Sequence, residues 1–567
     1  MSDEPRTAPE GAAKSGGLLG IIETVGNKLP DPAILFVIGM IVVMSASWVA
    51  SVTNWQVQPK KLIVVTETVV EDGQEVTRPI LKENGSPETT LVDDPSVNEG
   101  EPFESVSLFS ADGIYWCLSS MVDNFINFPP LGVVLVGMIG IGVAERTGFI
   151  GVVLKAAMLV VPNRLLTPAM VFLGIMSSLG TDAGYVVLPP VAAVLYKSVG
   201  RAPLAGVAAV FAGVAAGFNA NLLITSLDPL LSELTQAGAR TIDPNYDVPP
   251  TANWRFLFVS TFAITGAGWL ASALFVEKRL SKKPEDEGGP SPDAAAAAAE
   301  HQGITSKEAK GLVAAVLGII VMTGIFLSFA FVPNWPFDDA RGRLPGDNFD
   351  RWVEAIVPML CILFLIPGLI YGVVAGTMKN SSDAARMMTE TMASMAPIVV
   401  LAFFAGQFIE YFKYSNLDKM LAHTGGQALA SADLSPMVLI VAFILLTAFF
   451  NLFVGSMSAK YSMFAPIFVP MLMLVGISPA LTQVAYRIGD SVTNIITPLN
   501  AYLIIVLVVM QRFAPRAGMG TLIAMMAPYT IVFLIVWTIM LLVWMWFGWP
   551  LSWDDSGPLT YIPQAAS

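Results

Sequence analysis

Apolar runs separated by short polar loops make up most of this 567-residue chain. A helix needs about 20 predominantly apolar residues to cross a bilayer. By that measure 32–52, 129–144, 254–276, 312–332, 352–376, 394–412 and 522–547 each read as a crossing. Two more runs, 203–224 and 479–510, are long enough to cross but carry polar clusters, Asn219-Ala220-Asn221 and Asp490-Ser491-Val492-Thr493-Asn494. The runs 168–198 and 436–475 are apolar at both ends and polar in the middle, around Ser177–Gly184 and Gly455–Lys460. Gly180, Gly184 and Pro189-Pro190 are expected to break the first of these into two half-spans. Lipid cannot satisfy broken backbone, so such clusters must be buried in protein or line a watered cavity. Paired interruptions in two halves of one chain point to a transporter's binding site.

The intervening segments complete the pattern. Residues 17–30 read as an amphipathic interfacial segment, 107–127 as interfacial, and 148–162 and 414–432 as arms. Residues 62–66 and 69–70 hint at a small β-hairpin. The chain then divides into a polar tail (1–16), an interfacial segment and first helix (17–53), and an acidic extracytoplasmic loop (54–105). A first repeat follows (106–280, hairpin 168–198, broken helix 203–224), then a mobile cytoplasmic linker (281–309) and scaffold helices (310–390). A second repeat (391–549, hairpin 436–475, broken helix 479–510) and a C-terminal tail (550–567) end it. The fold class is an all-α polytopic membrane protein with nine transmembrane helices and two opposed re-entrant hairpins in an inverted repeat.

Composition agrees: 54% of residues are hydrophobic and 13% charged. The polar N-terminus lacks a cleavable signal core, so the first helix is expected to stay as an anchor. The formal net charge is −13. The loop 54–105 holds 11 acids and four bases, which argues against nucleic acid and against binding to anionic lipid there. A solvated surface lobe is the preferred reading, with a gate or an interaction lobe as alternatives. Cys117 and Cys361 give no disulfide framework. His301 and His423 sit in polar sequence read as loop. The absence of His/Cys clusters, nucleotide loops and nucleophile motifs argues against an enzyme and against any cofactor.

Lys/Arg placement sets orientation. The loops carrying Lys278/Arg279/Lys282/Lys283, Lys379/Arg386 and Arg512/Arg516 are all cytoplasmic in one assignment. It has nine crossings, a cytoplasmic N-terminus, an external C-terminus and hairpins entering from opposite faces. Opposed hairpins would plug a continuous pore, which argues against a channel.

Broken helices place carbonyl, amide and hydroxyl oxygens at membrane depth, where they replace the hydration of a small cation. Half-helix N-termini attract an anion. The combination suggests cation-coupled transport of a carboxylate, with Ser177, Ser178, Thr181, Asn219, Asn221, Ser456, Ser458, Thr493 and Asn494 as candidates. Singly, such residues are ordinary helix-packing residues; the four clusters together read as a site. Asp182, Lys460, Arg487 and Asp490 add charges that are expensive at this depth. Asp182 and Asp490 are read as titrating or cation-binding, and Lys460 or Arg487 as attracting the substrate carboxylate. A structural Arg487–Asp490 pair on one helix face is the alternative. Asp228-Pro229 reads as a cap for the next turn.

The stretches TDAGYVVLPP (181–190), NANLL and LDPLL (219–231), SMSAKYSMFAPIFVPM (456–471) and YRIGDSVTNIITPLN (486–500) resemble the aminobenzoyl-glutamate transporter (AbgT) family. The similarity covers most of residues 18–550. It implies a bacterial inner-membrane homodimer in the lipid bilayer, with a transport core and a dimerising scaffold. It also implies substrates such as p-aminobenzoyl-glutamate, sulfonamide efflux in some members, and Na⁺ or H⁺ as coupling ion, Na⁺ being the one metal ion in question. The family's functional positions fall on Asp182, Ser458, Pro479 (as a hinge), Arg487, Asp490 and Pro498. Tyr461 stands where the family has Trp, and Asn219 where it often has Ser, which bears on aromatic stacking and on the cation site. The alternative cargo is a di- or tricarboxylate, carried by the same hairpin architecture. Direction of transport and the coupling ion are left open by the residues.

Overall fold

The computed structural model describes residues 32–71, 74–80, 88–95, 97–180, 183–290, 304–338, 351–497, 500, 502–554 and 556–562. The interfacial segment expected at 17–30, His301, Thr181, Asp182 and Pro498 lie outside the described residues.

The first crossing is helix α1 (Pro32–Val52), with the proline at its first position, where a missing N–H costs nothing. The acidic lobe follows, with strands β1 (Gln56–Val57), β2 (Lys60–Val64), β3 (Thr66–Glu71), β4 (Gln74–Pro79), β5 (Thr89–Asp93) and β6 (Phe103–Glu104). The strand sequence at 62–70 is as expected, but its pairing is not. β2 pairs with β5 and β3 with β4, all antiparallel. Val65 alone separates β2 from β3, too little chain to fold one onto the other. Asp72-Gly73, the strongest short hairpin signal, lies between β3 and β4 instead.

Two short helices, α2 (Ala111–Ser119) and α3 (Met121–Ile126), lead into α4 (Pro129–Arg146) and the arm α5 (Phe149–Leu159). The axis turns by 65° between α4 and α5, at Gly148, whose φ is +87°. Next come α6 (Leu166–Met176), a 3₁₀ turn (Ser177–Gly180), α7 (Ala183–Ser198) and α8 (Pro203–Phe211), which continues through a π-turn (Ala212–Ala216). Pro189 and Pro190 sit inside α7 and do not break it. Neighbouring helices in a membrane bundle supply partners for backbone groups that a proline frees. The unwound stretch after Ala216 ends in α9 (Leu227–Ala239), so the first broken helix extends to 239 rather than 224. α10 (Trp254–Ala271) runs on through a π-turn to Leu280.

The second half holds α11 (Ser306–Phe331), α12 (Ile356–Ala375), α13 (Ser381–Ser394), α14 (Ala396–Tyr414) and α15 (Leu417–Ser431). α16 (Pro436–Asn451), α17 (Met457–Met473), α18 (Pro479–Thr493), α19 (Tyr502–Gln511) and α20 (Met519–Trp546) complete it. A Thr305/Glu308 capping box starts α11, so 306–309 is helix rather than linker. The described part of that linker, 281–290, folds back: a Cβ on Gly288 would lie 2.2 Å from Leu204. α18 continues to Thr493, and the second interruption follows the polar cluster instead of spanning 489–494. Most polar side chains of that cluster bond to facing elements, and the Ser491 hydroxyl donates to Arg487 O of the same helix, which leaves that helix intact. Among the described residues, six helices are long and apolar enough to cross a membrane.

The two halves repeat one packing device. Gly213 in the π-turn lies against α6, where an added Cβ would be 2.2 Å from the Val171 carbonyl. Gly489 in α18 lies against α16, where it would be 2.4 Å from the Ile444 carbonyl. In each half a broken helix therefore touches the helix preceding the other break, backbone to backbone. Gly213→Ala and Gly489→Ala are each expected to destabilise by about 1–3 kcal/mol through overpacking. Gly266→Ala, with open space around it, should not. Thermal unfolding of the purified variants checks this.

The lobe docks on α15. The Lys60 backbone N–H donates to His423 Nδ1 at 3.1 Å, and the Phe103 and His423 rings lie 5.4 Å apart. His423 is thus buried in a helix, not in the loop its polar neighbours suggested. Burial pushes its imidazole down from its ordinary value of 6.5 to about 4. The docked ring is neutral and its Nδ1 accepts. Its contribution is complete above pH 6.5 and is lost as pH falls through about 4. Hydrogen exchange in β2, corrected for intrinsic rate, is expected to rise between pH 7 and pH 4.5, and His423→Leu should remove that dependence.

Candidate functional site

The interruptions of the two halves converge. In the first half the Ser178 hydroxyl lies 2.7 Å from Asn221 Oδ1, and Asn221 Nδ2 donates to Phe218 O at 2.6 Å. In the second half Asn451, the last residue of α16, takes the place of Ser178. Its Nδ2 donates to Asp490 O (2.6 Å), Thr493 Oγ1 (2.9 Å) and Asn494 Oδ1 (2.8 Å). In each half, then, the end of one helix is tied to the unwound end of the broken helix. Asn219 joins the halves: its Nδ2 donates to Ser491 Oγ at 2.7 Å and Arg487 O at 3.3 Å.

Two ion pairs lie at this junction, one within the second half and one between the halves. Lys460 Nζ lies 2.6 Å from Asp490 Oδ1 and donates to Asn451 Oδ1 at 2.5 Å. Arg487 lies 2.6 Å from Asp228 Oδ1. Asp228 Oδ2 accepts from the Thr225 N–H (2.6 Å) and hydroxyl (2.9 Å). Asp228 therefore caps its turn as expected and also pairs across the repeat, which the sequence did not reveal. Arg487 and Asp490 do not pair with each other, although both lie on α18: each has a closer partner on a facing element. All four side chains are at most 5% exposed. Ions this buried cost several kcal/mol each to desolvate, so only pairing makes them tolerable. Among the described residues, Asn219 Oδ1, Asp490 Oδ2 and Arg487 Nε are buried without a hydrogen-bond partner.

The remaining predicted residues divide. Ser456 caps α17, and its hydroxyl lies 3.4 Å from that of Ser458. Ser177 donates to Gly174 O and packs against Gly184, away from the junction. Tyr461 is fully buried, its hydroxyl 2.6 Å from Thr235 Oγ1 and its ring 4.2 Å from Tyr486. Tyr486 donates to Met457 O at 2.6 Å. Pro479 opens α18, about 16 Å along the axis from Asp490 and outside the junction.

A cavity of about 550 Å³ opens beside the junction. Ser458 and Met457 at the start of α17 and Phe218 and Ser226 of the unwound stretch line it, together with Arg146 of α4 and Thr391 of α13. Its volume suits a small organic ligand. Among the described residues, Ser458 is the one predicted residue that lines it. Arg146, just past the 129–144 apolar run, donates to Glu390 Oε2 at 3.0 Å and Thr391 Oγ1 at 3.2 Å on its rim. Among the described residues no group of three or more His, Cys, Asp or Glu is placed to hold a metal ion. A small cation would have to rely on the amide, hydroxyl and single-carboxylate oxygens of the junction.

The model of the AbgT putative transporter family matches residues 17–559. The chain belongs to this family. The p-aminobenzoyl-glutamate transport protein of Escherichia coli K12 is 31% identical over 95% of this chain and 97% of its own length. Two solved structures are similar at 36% identity. The Alcanivorax borkumensis YdaH transporter, described as having an unusual topology, matches with a TM-score of 0.76 over 92% of this chain and 100% of its own. Neisseria gonorrhoeae MtrF, described as illuminating a class of antimetabolite efflux pumps, matches with a TM-score of 0.78 over 93% and 97%. This AbgT member is accordingly a multi-pass membrane transporter with the mostly helical architecture of those structures.

Proposed function

We propose that this AbgT member is a secondary active, cation-coupled transporter of p-aminobenzoyl-glutamate-like carboxylates. The observation that carries this is the junction itself: two helix breaks, one from each half, linked by the buried Arg487–Asp228 pair, with the buried Lys460–Asp490 pair alongside, next to a ligand-sized cavity. Each pair holds an internal substitute. Lys460 occupies Asp490 where a coupling cation would sit, and Asp228 occupies Arg487 where a substrate carboxylate would sit. A cation that takes Asp490 frees Lys460, and a carboxylate entering from Ser458 then finds an unpaired positive charge. The unpartnered oxygens of Asn219 and Asp490 favour this reading, because they leave acceptor capacity for Na⁺ or a proton.

In this proposal the six apolar spans, α4 and the two broken helices make nine crossings, and 166–198 and 436–473 are re-entrant. The N-terminus and the Arg146 end of the cavity are cytoplasmic, which makes the conformation inward-facing. α11, only 6% buried over its apolar window, belongs to a scaffold face available to a second copy. Direction follows the imposed gradients.

Cargo is tested by counterflow. Proteoliposomes loaded with unlabelled p-aminobenzoyl-glutamate should take up the labelled compound, and loading with succinate should not drive that uptake. Succinate driving it equally would point to the dicarboxylate reading.

A further inference from the structure

A second cavity, of about 500 Å³, lies at the basic end of α10, away from the junction. Its floor is apolar, formed by Leu274 and Phe275 of the π-turn, Leu204 of α8, and Met525 and Pro528 of α20. Leu274 and Phe275 are each about half exposed. A π-turn widens a helix and often marks a functional position. Above the floor stand Lys278, Arg279 and Lys282.

Cations at a helix C-terminus are favoured by the dipole and by membrane orientation, so their presence alone signifies little. Their lack of partners is a separate observation. Glu277 is engaged by Arg201 and Thr167, Glu285 by Lys197, and Glu287 by Lys283. Among the described residues, Lys278, Arg279 and Lys282 have no ion pair. Three cations that have no ion-pair partner among the described residues therefore sit over an apolar slot at the end of a membrane span.

We infer that this cavity binds an anionic glycerophospholipid, with its phosphate among the three cations and an acyl chain along Leu274, Phe275, Met525 and Pro528. Charge complementarity selects the headgroup. The apolar floor, at the depth where lipid chains run, selects a lipid over a free phosphate ester. The bound lipid touches α8, the first segment of a broken helix.

The test uses the full-length protein, purified and delipidated, with phosphatidylglycerol, phosphatidylcholine and soluble glycerol 1-phosphate as probes read by native mass spectrometry and thermal shift. The wild type should bind phosphatidylglycerol in preference to phosphatidylcholine and gain nothing from glycerol 1-phosphate. A cation near an anionic lipid surface is worth about fivefold in affinity, so the Lys278→Gln/Arg279→Gln/Lys282→Gln variant should lose on the order of 100-fold. Ala524→Trp fills the exposed wall of the cavity and keeps every charge; it should lose the lipid too, and it decides the matter if the triple variant inserts poorly. Equal binding of both lipids, glycerol 1-phosphate binding as well as the lipid, or undiminished lipid binding by Ala524→Trp would overturn the inference.

Discussion

Lys460→Met is expected to lower stability by about 3–5 kcal/mol and to abolish coupled uptake. Lys460 and Asp490 are 1% and 0% exposed and 2.6 Å apart. Removing the ammonium leaves a carboxylate buried in the junction, its other oxygen already without a partner among the described residues. The penalty comes from that stranded charge and not from the pair's net worth, which is small. The double variant Lys460→Met/Asp490→Leu should therefore recover most of the lost stability while still failing to transport. Thermal midpoints of the purified variants, together with proteoliposome uptake, give both readouts. A single variant as stable as the wild type would mean that Asp490 finds another partner.

Asp228→Asn is expected to produce a protein whose stability depends on ligand. Arg487 loses its counter-ion, so the ligand-free variant should be destabilised by about 3–5 kcal/mol. Asp228 stands where the account places the substrate carboxylate. Added p-aminobenzoyl-glutamate should therefore raise the variant's thermal midpoint more than the wild type's, because no internal carboxylate competes. Arg487→Lys should lose this response, since an ammonium does not reproduce a planar guanidinium's fork. An equal ligand-induced shift in wild type and Asp228→Asn would separate Arg487 from substrate binding.

Much of the framework was legible because crossing helices advertise themselves. α1 coincides with its apolar run, and α10, α14 and α20 depart from theirs only at their ends. The breaks were legible as polar clusters, but their boundaries were not. The cluster 489–494 reads as an interruption, yet Asn451 of α16 and Asn219 of the unwound stretch bond to it, and α18 stays wound to Thr493. Pro189-Pro190 reads as a stop, yet α7 passes through it. In both cases tertiary partners supplied what the local sequence lacks. The pairing of charges was the least legible feature. Arg487 and Asp490 are neighbours on one helix, and nothing local indicates that Asp228, some 260 positions earlier, takes the arginine. Asn451 escaped notice because it ends an otherwise apolar helix. Arg146 and Thr391 were not legible because their meeting depends on how α4 packs against α13.

The central claim, cation-coupled carriage of a carboxylate through this junction, is tested most directly by uptake of labelled p-aminobenzoyl-glutamate into proteoliposomes with Na⁺ and pH gradients imposed separately. Accumulation driven by one of these gradients is expected in the wild type, and none in Asp490→Asn under either. Uptake that is independent of both gradients, or an Asp490→Asn variant that still accumulates substrate against its gradient, would contradict it.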